Sequence, residues 1–282
     1  MLVTNDDGVR APGLAALAAV LARGGHEVLV VAPLEDYSGA SAAVGPVYAR
    51  DGVAYEAHEL EGAPGVPAYG IDGPPALAVI LACVGGFGPM PELVVSGVNH
   101  GANLGRSAMH SGTVGAALTG SHFGLRGMAV SIRWGEDPVP WETATTLALG
   151  LIEPLARAPE GTVWNLNAPD VPLAELRGVR RGRLGRGGTI RSAVHEGSGR
   201  ERSEDLPHIS LPPLPAGMLR LDLSAPGWST KADPTTDAGL LAQGYASLTP
   251  LVGVRDAGEE ADPFVEAGIA SLEAELSLAR RS

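Results

Sequence analysis

Two adjacent carboxylates near the N-terminus, Asp6 and Asp7, are the residues whose types and spacing most clearly suggest chemistry. They follow the apolar pair Leu2 and Val3 and precede Gly8. Neighbouring carboxylates repel each other unless a cation lies between them, and their oxygens suit a hard ion such as Mg²⁺ or Mn²⁺. Both can face one ion only where the chain turns, which Gly8 allows. The alternative is that Asp6 caps the following helix and Asp7 is solvated near the positive end of that helix.

A glycine-rich stretch at 96–105 is the second segment whose residues suggest a binding or catalytic role, and it follows the apolar run at 93–95. Its three evenly spaced glycines let the backbone bend and expose amide groups, which is how an anion-binding nest is built. Asn99 and Asn103 add neutral oxygens and amide donors, and His100 is a candidate substrate contact. The pattern predicts a phosphate-binding loop, but a surface loop rich in turn formers would have the same composition.

Two shorter segments carry hydroxyl groups next to glycines. Ser38 precedes Gly39 in a loop on the same predicted edge of the sheet as Asp6, although such a serine is also an ordinary turn residue. The segment 111–113, Ser-Gly-Thr, opens a predicted helix, with Ser111 as its N-cap and exposed amides as a second anion site. Ordinary helix capping explains this segment equally well.

An alternation of strand and helix patterns supplies the scaffold that would bring these loops together. A short strand at 2–3, apolar residues at helical spacing over 13–23 and strand formers over 27–32 predict a βαβ unit with parallel strands. Open α/β sheets bind ligands beyond the carboxyl ends of their strands, where Asp6 and Asp7 would lie. Further predicted elements are strand pieces forming a hairpin within 44–60, a helix over 74–83, a strand at 93–95, a helix after Ser111, a strand over 127–132, a helix over 141–157 and a strand over 162–167.

The regular alternation of strand and helix patterns is interrupted after position 172. An arginine-dense run over 177–191 and a proline-rich passage predict an excursion from the sheet, and order returns with a helix over 237–243, a strand over 246–251 and a helix over 263–281. We therefore predict a catalytic core at 1–172, a smaller β-rich extension at 173–233 with a role in oligomerisation, and a return to the core with a C-terminal helical arm at 234–282.

Composition narrows the function classes. The net charge is −12, from 20 basic and 32 acidic side chains, which argues against general affinity for nucleic acid or anionic membranes. The arginine run lacks interleaved aromatic residues and is broken by glycines, so it does not alter that expectation. The single cysteine, Cys83, fits a reducing compartment, and the chain enters its first strand without a secretory leader pattern. We expect a cytoplasmic protein.

Taken together, these motifs resemble the survival protein SurE family, and the resemblance runs from Met1 to about Leu251. It implies a Rossmann-like three-layer α/β core with a mostly parallel sheet, a smaller β-rich extension and a homodimeric or homotetrameric assembly. It also implies metal-dependent hydrolysis of nucleoside 5′- and 3′-monophosphates, and of polyphosphate in some members. The segments that carry the resemblance are 3–8, 32–33 with 38–41, 96–105, 111–114, 165–169, 236–237 with 244–245, and 249–251.

The resemblance also assigns roles to individual residues. It implies one Mg²⁺ or Mn²⁺ per subunit, held by two carboxylates and two neutral ligands that leave positions open for water and a phosphate oxygen. The role of Asp6 as ligand, base or nucleophile stays open, as does the identity of the proton donor. The expected metal ligands are Asp6, Asp7, Ser38 and Asn99; the catalytic residues are Asp6, Asp7, Asn99 and Ser111; and the phosphate or substrate contacts are Asn5, Gly39, Gly97, Asn103, Gly112, Thr113 and His110.

Three positions depart from the usual pattern of this family. His110 replaces a common tyrosine before the Ser-Gly-Thr segment, Tyr37 replaces a polar residue before Ser38, and the segment around Ala76 lacks the usual Gly-Thr-Pro-Ala-Asp-Cys order. Because of these departures, the resemblance leaves substrate choice and subunit contacts open. His110 would be suited to protonating a leaving alkoxide, because an imidazole titrates near neutral pH, but a structural role is equally compatible with the sequence.

Other functions fit the sequence less well. A dinucleotide-dependent oxidoreductase needs glycines in the first turn to admit pyrophosphate, whereas this chain has negative charge there. A phosphatase that forms an aspartyl-phosphate would have its two acidic residues separated by one position. A nucleotide- or metal-binding regulatory protein on the same scaffold remains the non-enzymatic alternative.

Overall fold

The computed structural model describes residues 1–45, 47, 51–135, 137–186, 191–195, 220–224, 233–254 and 263–279. The chain divides into two compact units, Met1–Leu251 and Val252–Ser282. The second unit contains one described helix, on which Val265, Ile269 and Leu272 are exposed. No helix within the described ranges is long and apolar enough to cross a membrane.

The first unit contains eleven strands and five helices within its described residues. The strands are β1 (Leu2–Thr4), β2 (Leu29–Pro33), β3 (Tyr55–His58), β4 (Ala68–Ile71), β5 (Leu93–His100), β6 (Arg126–Ile132), β7 (Val163–Ala168), β8 (Val179–Arg181), β9 (Arg191–His195), β10 (Arg220–Ser224) and β11 (Ala246–Leu251). The helices are α1 (Pro12–Arg23), α2 (Pro75–Cys83), α3 (Gly112–His122), α4 (Trp141–Ala156) and α5 (Asp237–Ala242), followed by α6 (Pro263–Ala279) in the second unit. Short 3₁₀ segments lie at Gly105–His110 and Leu173–Glu175.

Nine strands form one sheet in the order β3-β4-β2-β1-β5-β6-β7-β11-β8. The central strands β4, β2, β1, β5, β6 and β7 are parallel, whereas β3 and β11 run antiparallel to their neighbours β4 and β7. The predicted α/β fold with a mostly parallel sheet is confirmed. The chain winds from β1 towards β2 and β4, then returns to the other side of β1 to form β5, so the strand order reverses beside β1. This reversal is where sheets of this type bind ligands.

Helices cover both faces of the sheet and complete the three layers. Helices α1 and α4 pack on one face, where Leu14, Leu17 and Leu21 of α1 are fully buried. Their spacing places them on one side of the helix, as the apolar pattern predicts. Helices α2 and α3 pack on the other face, where Leu77 meets the side of the sheet that carries Val94.

Three sequence-based element assignments need correction. Strand β5 continues to His100 through an irregular pairing with β6 between Ser96 and Asn99, because buried Val98 keeps the chain in the sheet beyond the predicted end at residue 95. The β3 strand pairs antiparallel with β4, so the hairpin crosses 59–67 and does not lie within 44–60 as predicted. The sequence pattern missed β4 because only Ala68 and Ile71 are apolar and buried at its ends, and the strand contains a glycine.

The stretch predicted as an extension, 173–233, is only partly described. Strand β8 lies within it but pairs in parallel with β11 in the main sheet, so the chain has not left the sheet at residue 181. Strands β9 and β10 form a separate antiparallel pair. Residues 187–190, 196–219 and 225–232 lie outside the described residues, and the division into three segments stays a prediction.

Candidate active site

The candidate site lies at the carboxyl ends of β1, β2 and β5, next to the reversal in strand order. Strand β1 ends at Thr4 and delivers Asp6, which is only 3% exposed, to this edge. The loop after β2 is fixed to it, since the Tyr37 amide donates to the Asp6 carbonyl at 2.8 Å. Two loops that are distant in sequence therefore meet at the buried Asp6.

The first turn of α3 contacts the Asp6 carboxylate directly. Thr113 Oγ1 donates a hydrogen bond of 2.5 Å to Asp6 Oδ1. Gly112 lies so close that a Cβ at its position would be 2.8 Å from Asp6 Oδ2, so only glycine fits there without displacing the carboxylate. The structure thus brings the predicted site residues Asp6, Gly112 and Thr113 together. The contact with Asp6 explains why a glycine and a threonine occupy positions 112 and 113.

The charge around this carboxylate is predominantly negative. Burial raises the pKa of Asp7 to about 7, with further contributions from the negative charges of Asp6 and Asp36, while a hydrogen bond from the His100 backbone amide lowers it. Burial also raises the pKa of Asp6, against the hydrogen bond from Thr113. Carboxyl groups in such surroundings bind either a proton or a cation.

The loop that carries Ser38 is held at both ends. Its start is fixed to Asp6 through Tyr37, and the Ser38 amide donates to Asp36 Oδ1 at 2.7 Å. At its end, Ser41 donates through its hydroxyl to the Met109 carbonyl at 2.6 Å and through its amide to the His110 carbonyl at 3.1 Å. Ser38 is exposed at this edge, and Gly39 follows with a positive φ of 84° that favours glycine.

Asn99 and Asn5, two of the predicted site residues, each have an amide group held by a backbone carbonyl. Asn99 Nδ2 donates to the Gly101 carbonyl at 2.6 Å, which orients the amide and leaves Oδ1 as its acceptor. Asn5 is fully buried and donates to the Gly8 carbonyl at 3.0 Å, which supports the turn that both carboxylates require. Asn5 Oδ1 is buried and has no hydrogen-bond partner.

Asn103, one of the predicted phosphate contacts, makes several hydrogen bonds within the sheet. Its Nδ2 donates to Ser131 Oγ at 2.9 Å, its backbone amide donates to Asn167 Oδ1 at 2.7 Å, and its carbonyl accepts from Asn165 Nδ2 at 2.8 Å. The backbone amide and one of the two Nδ2 hydrogens of Asn103 are therefore engaged. Asn103 fixes the loop after β5 to β6 and β7, and its assignment as a phosphate contact stays a prediction.

The remaining predicted contacts also occupy defined places. Ser111 is the N-cap of α3, with its Oγ accepting from the Val114 amide at 3.1 Å, as the capping pattern predicts. Gly97 is packed against β6, because a Cβ at its position would lie 2.2 Å from the Val130 carbonyl oxygen. His110 is exposed at the end of the 3₁₀ segment, where its carbonyl holds Ser41.

Asp237 is a buried residue near this region whose role the sequence did not reveal. Its Oδ2 accepts from the Gly105 amide at 2.6 Å, and its Oδ1 accepts from the Gly185 amide at 3.1 Å and the Ala238 amide at 2.9 Å. Burial raises its pKa, against these three hydrogen bonds. In the sequence, Asp237 stands out only because it follows Thr236, the N-cap residue of α5. That position does not indicate a contact with Gly105.

The donor set fits a hard divalent ion. Asp6 and Asp7 supply negative oxygens in surroundings that disfavour two uncompensated charges, and Asn99 Oδ1 and the exposed Ser38 hydroxyl are neutral oxygens at the same edge. Among the described residues, no group of three or more His, Cys, Asp or Glu side chains could hold a metal. A set of two carboxylates, one amide and one hydroxyl is consistent with that finding.

Comparisons with known proteins agree in sequence and in fold. The profile of the family described as Survival protein SurE matches residues 1–190. The 5′/3′-nucleotidase SurE of Cronobacter sakazakii is 35% identical over 253 residues, which cover 89% of this chain and 89% of the relative. The 5′-nucleotidase SurE of Legionella pneumophila is 36% identical over 256 residues, with 89% and 90% covered.

A solved structure gives the same result for the architecture. The SurE protein from Aquifex aeolicus superposes with a TM-score of 0.68 at 26% sequence identity, covering 96% of this chain and 98% of that protein. The matched residues 1–190 contain Asp6, Asp7 and the first turn of α3. The sequence match over most of the chain and the shared sheet architecture lead to one conclusion: this chain belongs to the Survival protein SurE family.

Proposed function

We propose that this chain is a divalent-metal-dependent phosphomonoesterase that hydrolyses nucleoside 5′- and 3′-monophosphates to nucleoside and phosphate. The observation that carries the proposal is the contact of the Asp6 carboxylate with Gly112 and Thr113 in the first turn of α3. It joins a carboxylate pair suited to a cation to a helix N-terminus suited to a phosphate. The printed names of the bacterial relatives support the substrate class.

Asp6, Asp7, Ser38 and Asn99 would hold one Mg²⁺ or Mn²⁺ ion per subunit. When bound, the ion supplies positive charge for the phosphate oxygens and for activation of the attacking water. Two carboxylates nearly neutralise a divalent ion, so the phosphate adds the next negative charge at a site that is not already anionic. The Asn99 amide, oriented by the Gly101 carbonyl, offers its oxygen without adding charge.

The residues of α3 orient the reacting groups. Thr113 fixes the rotamer of Asp6 by donating to one carboxylate oxygen, and the absence of a side chain at Gly112 lets the phosphate approach the amides of the first helical turn. Ser111 accepts from the Val114 amide, so its hydroxyl proton is directed away from that amide and can be donated to a phosphate oxygen. These donors stabilise charge on the transferred group as it develops.

Further expectations belong to the same proposal. His110, exposed beside Ser111, is assigned as a candidate donor to the leaving alkoxide, and Gly39 as a backbone contact of the phosphate. Polyphosphate is a second candidate substrate, because its terminal phosphate presents the same group to the site. A homodimer or homotetramer is proposed on the exposed apolar side chains of α6, whose positions 265, 269 and 272 lie on one side of the helix.

The test is phosphate release from a panel of nucleoside 5′- and 3′-monophosphates and polyphosphate. Chelator-stripped protein is resupplied with Mg²⁺ or Mn²⁺, and Asp7→Asn is compared with Glu92→Gln. Glu92 is an exposed carboxylate just before β5, at the opposite edge of the sheet, so its substitution is a matched control. We expect metal-restored hydrolysis that Asp7→Asn reduces by at least about 100-fold and Glu92→Gln leaves unchanged. Metal and nucleotide binding by folded protein without phosphate release would support a regulatory binding protein instead.

A further inference from the structure

Three aromatic rings lie together beyond the end of β5, and one of them belongs to His100, the candidate substrate contact named above. The His100 imidazole stacks on the Trp134 indole with ring centroids 4.1 Å apart and an angle of 8° between the planes. Trp141, the first residue of α4, meets the His100 ring edge-on at 5.5 Å and 69°. His100 is thus fixed from two directions, and it holds the Trp134 indole in a defined plane.

This aromatic group lies at the same edge of the sheet as the candidate metal ligands. His100 pairs with Ile132 at the ends of β5 and β6, and Trp134 follows two residues after that pair. The His100 backbone amide also donates to the Asp7 carboxylate. One hydrogen bond and one ring stack therefore separate the indole of Trp134 from a carboxylate of the metal site.

Trp134 is the most exposed large aromatic side chain among the described residues, at 69%. His100 covers one face of its ring, and this exposure leaves much of the remaining ring surface to solvent. A large aromatic ring that is both exposed and held in one plane offers its free face for stacking. The natural occupant is another flat ring, since aromatic faces stack favourably in offset geometry.

We propose that Trp134, supported by His100, is the platform on which the base of a nucleoside monophosphate stacks while its phosphate lies at Asp6 and Asp7. This inference rests on the function proposed above and adds the element that distinguishes a nucleotide from a simpler phosphate ester. Stacking recognises the ring face and not the hydrogen-bonding edge, so the platform accepts all bases and favours the larger purines. It raises affinity for esters that carry a base over those that do not.

The experiment measures kcat/KM for AMP and for ribose 5-phosphate, which has the same phosphate and sugar but no base. Trp134→Ala should lower the ratio of the two values by roughly tenfold, and Trp134→Phe, which keeps a smaller ring, should lower it less. The matched control is Tyr55→Ala on edge strand β3, since Tyr55 is an aromatic residue of similar exposure, 64%, that packs against Tyr69 and Phe87. The ratio in this control should equal that of the unmodified protein.

A second measurement requires no turnover. Adenosine titrated into the protein should quench tryptophan fluorescence, and Trp134→Phe should remove that quenching. An active protein whose AMP to ribose 5-phosphate ratio is unchanged in Trp134→Ala would overturn the platform and leave the proposed function intact. A protein that hydrolyses no nucleoside monophosphate but shows quenching that depends on Trp134 would overturn the function and retain the base site. Loss of both signals would overturn both.

Discussion

Replacing Thr113 by valine isolates the contact on which the proposed site depends. Valine has nearly the shape of threonine, and both Thr113 and Asp6 are buried, so the main change is loss of the 2.5 Å hydrogen bond to Asp6 Oδ1. A hydrogen bond to a charged group contributes about 1.5–3 kcal/mol. If that bond orients Asp6 as a metal ligand, its loss should lower kcat/KM for AMP by roughly tenfold to 150-fold.

The assay is phosphate release from AMP over a range of Mg²⁺ concentrations. We expect Thr113→Val to require more Mg²⁺ for half-maximal activity, because the ligand is no longer held in its rotamer. The control is Thr113→Ser, which restores the hydroxyl and should keep activity within about threefold of the unmodified protein. If Thr113→Val is folded by circular dichroism and retains both its activity and its Mg²⁺ dependence, the hydrogen bond does not orient a metal ligand and the reasoning is refuted.

Two further predictions concern the same carboxylates. Gly112→Ala should lower activity at least about tenfold, because the added Cβ would lie 2.8 Å from Asp6 Oδ2. The control is Gly150→Ala on the open surface of α4, which should raise stability by up to about 1 kcal/mol without changing activity. Equal activity of the two variants in the phosphate assay would contradict the close approach. In protein stripped of metal by a chelator, the pKa of Asp7 is raised from its ordinary 3.8 to about 7. Between these two pH values the folded state keeps a proton that the unfolded chain releases. The free energy of unfolding should therefore fall by at most about 4 kcal/mol as pH rises from 3.8 to 7. Urea unfolding at pH 5 and pH 8 should show a smaller decrease for Asp7→Asn, and the same decrease in both proteins would argue against that pKa.

Local patterns were sufficient to predict the framework of the site. The spacing of Leu14, Leu17 and Leu21 identifies α1 because a helix turns its buried side chains to one face. The short apolar run before Asp6 identifies β1, and the alternation of such runs with helices predicts a parallel sheet whose carboxyl edge gathers the loops. The cap at Ser111 could be predicted because it depends only on neighbours along the chain.

Contacts that depend on strand pairing could not be predicted in the same way. The engagement of Asn103 by Ser131 and Asn167 follows from the register of β5, β6 and β7, which no local pattern specifies. The stack of His100 on Trp134 also requires that pairing, since His100 ends β5 and Trp134 follows the end of β6. Asn103 could therefore be recognised as a polar loop residue, but its role in fixing the loop became evident only with its partners.

The hydrogen bond between Asp237 and Gly105 joins residues that are far apart in the sequence, and this affects when the site can form during synthesis. Gly105, which begins the 3₁₀ segment leading to Ser111 and α3, is held by a carboxylate that lies 132 residues further along. During synthesis, the residues of the candidate site leave the ribosome long before Asp237 is added. A nascent chain that ends before this position contains the carboxylate pair and α3 but lacks the group that fixes the loop between them. The site can take its final form only when the C-terminal part of the first unit has folded back onto the sheet.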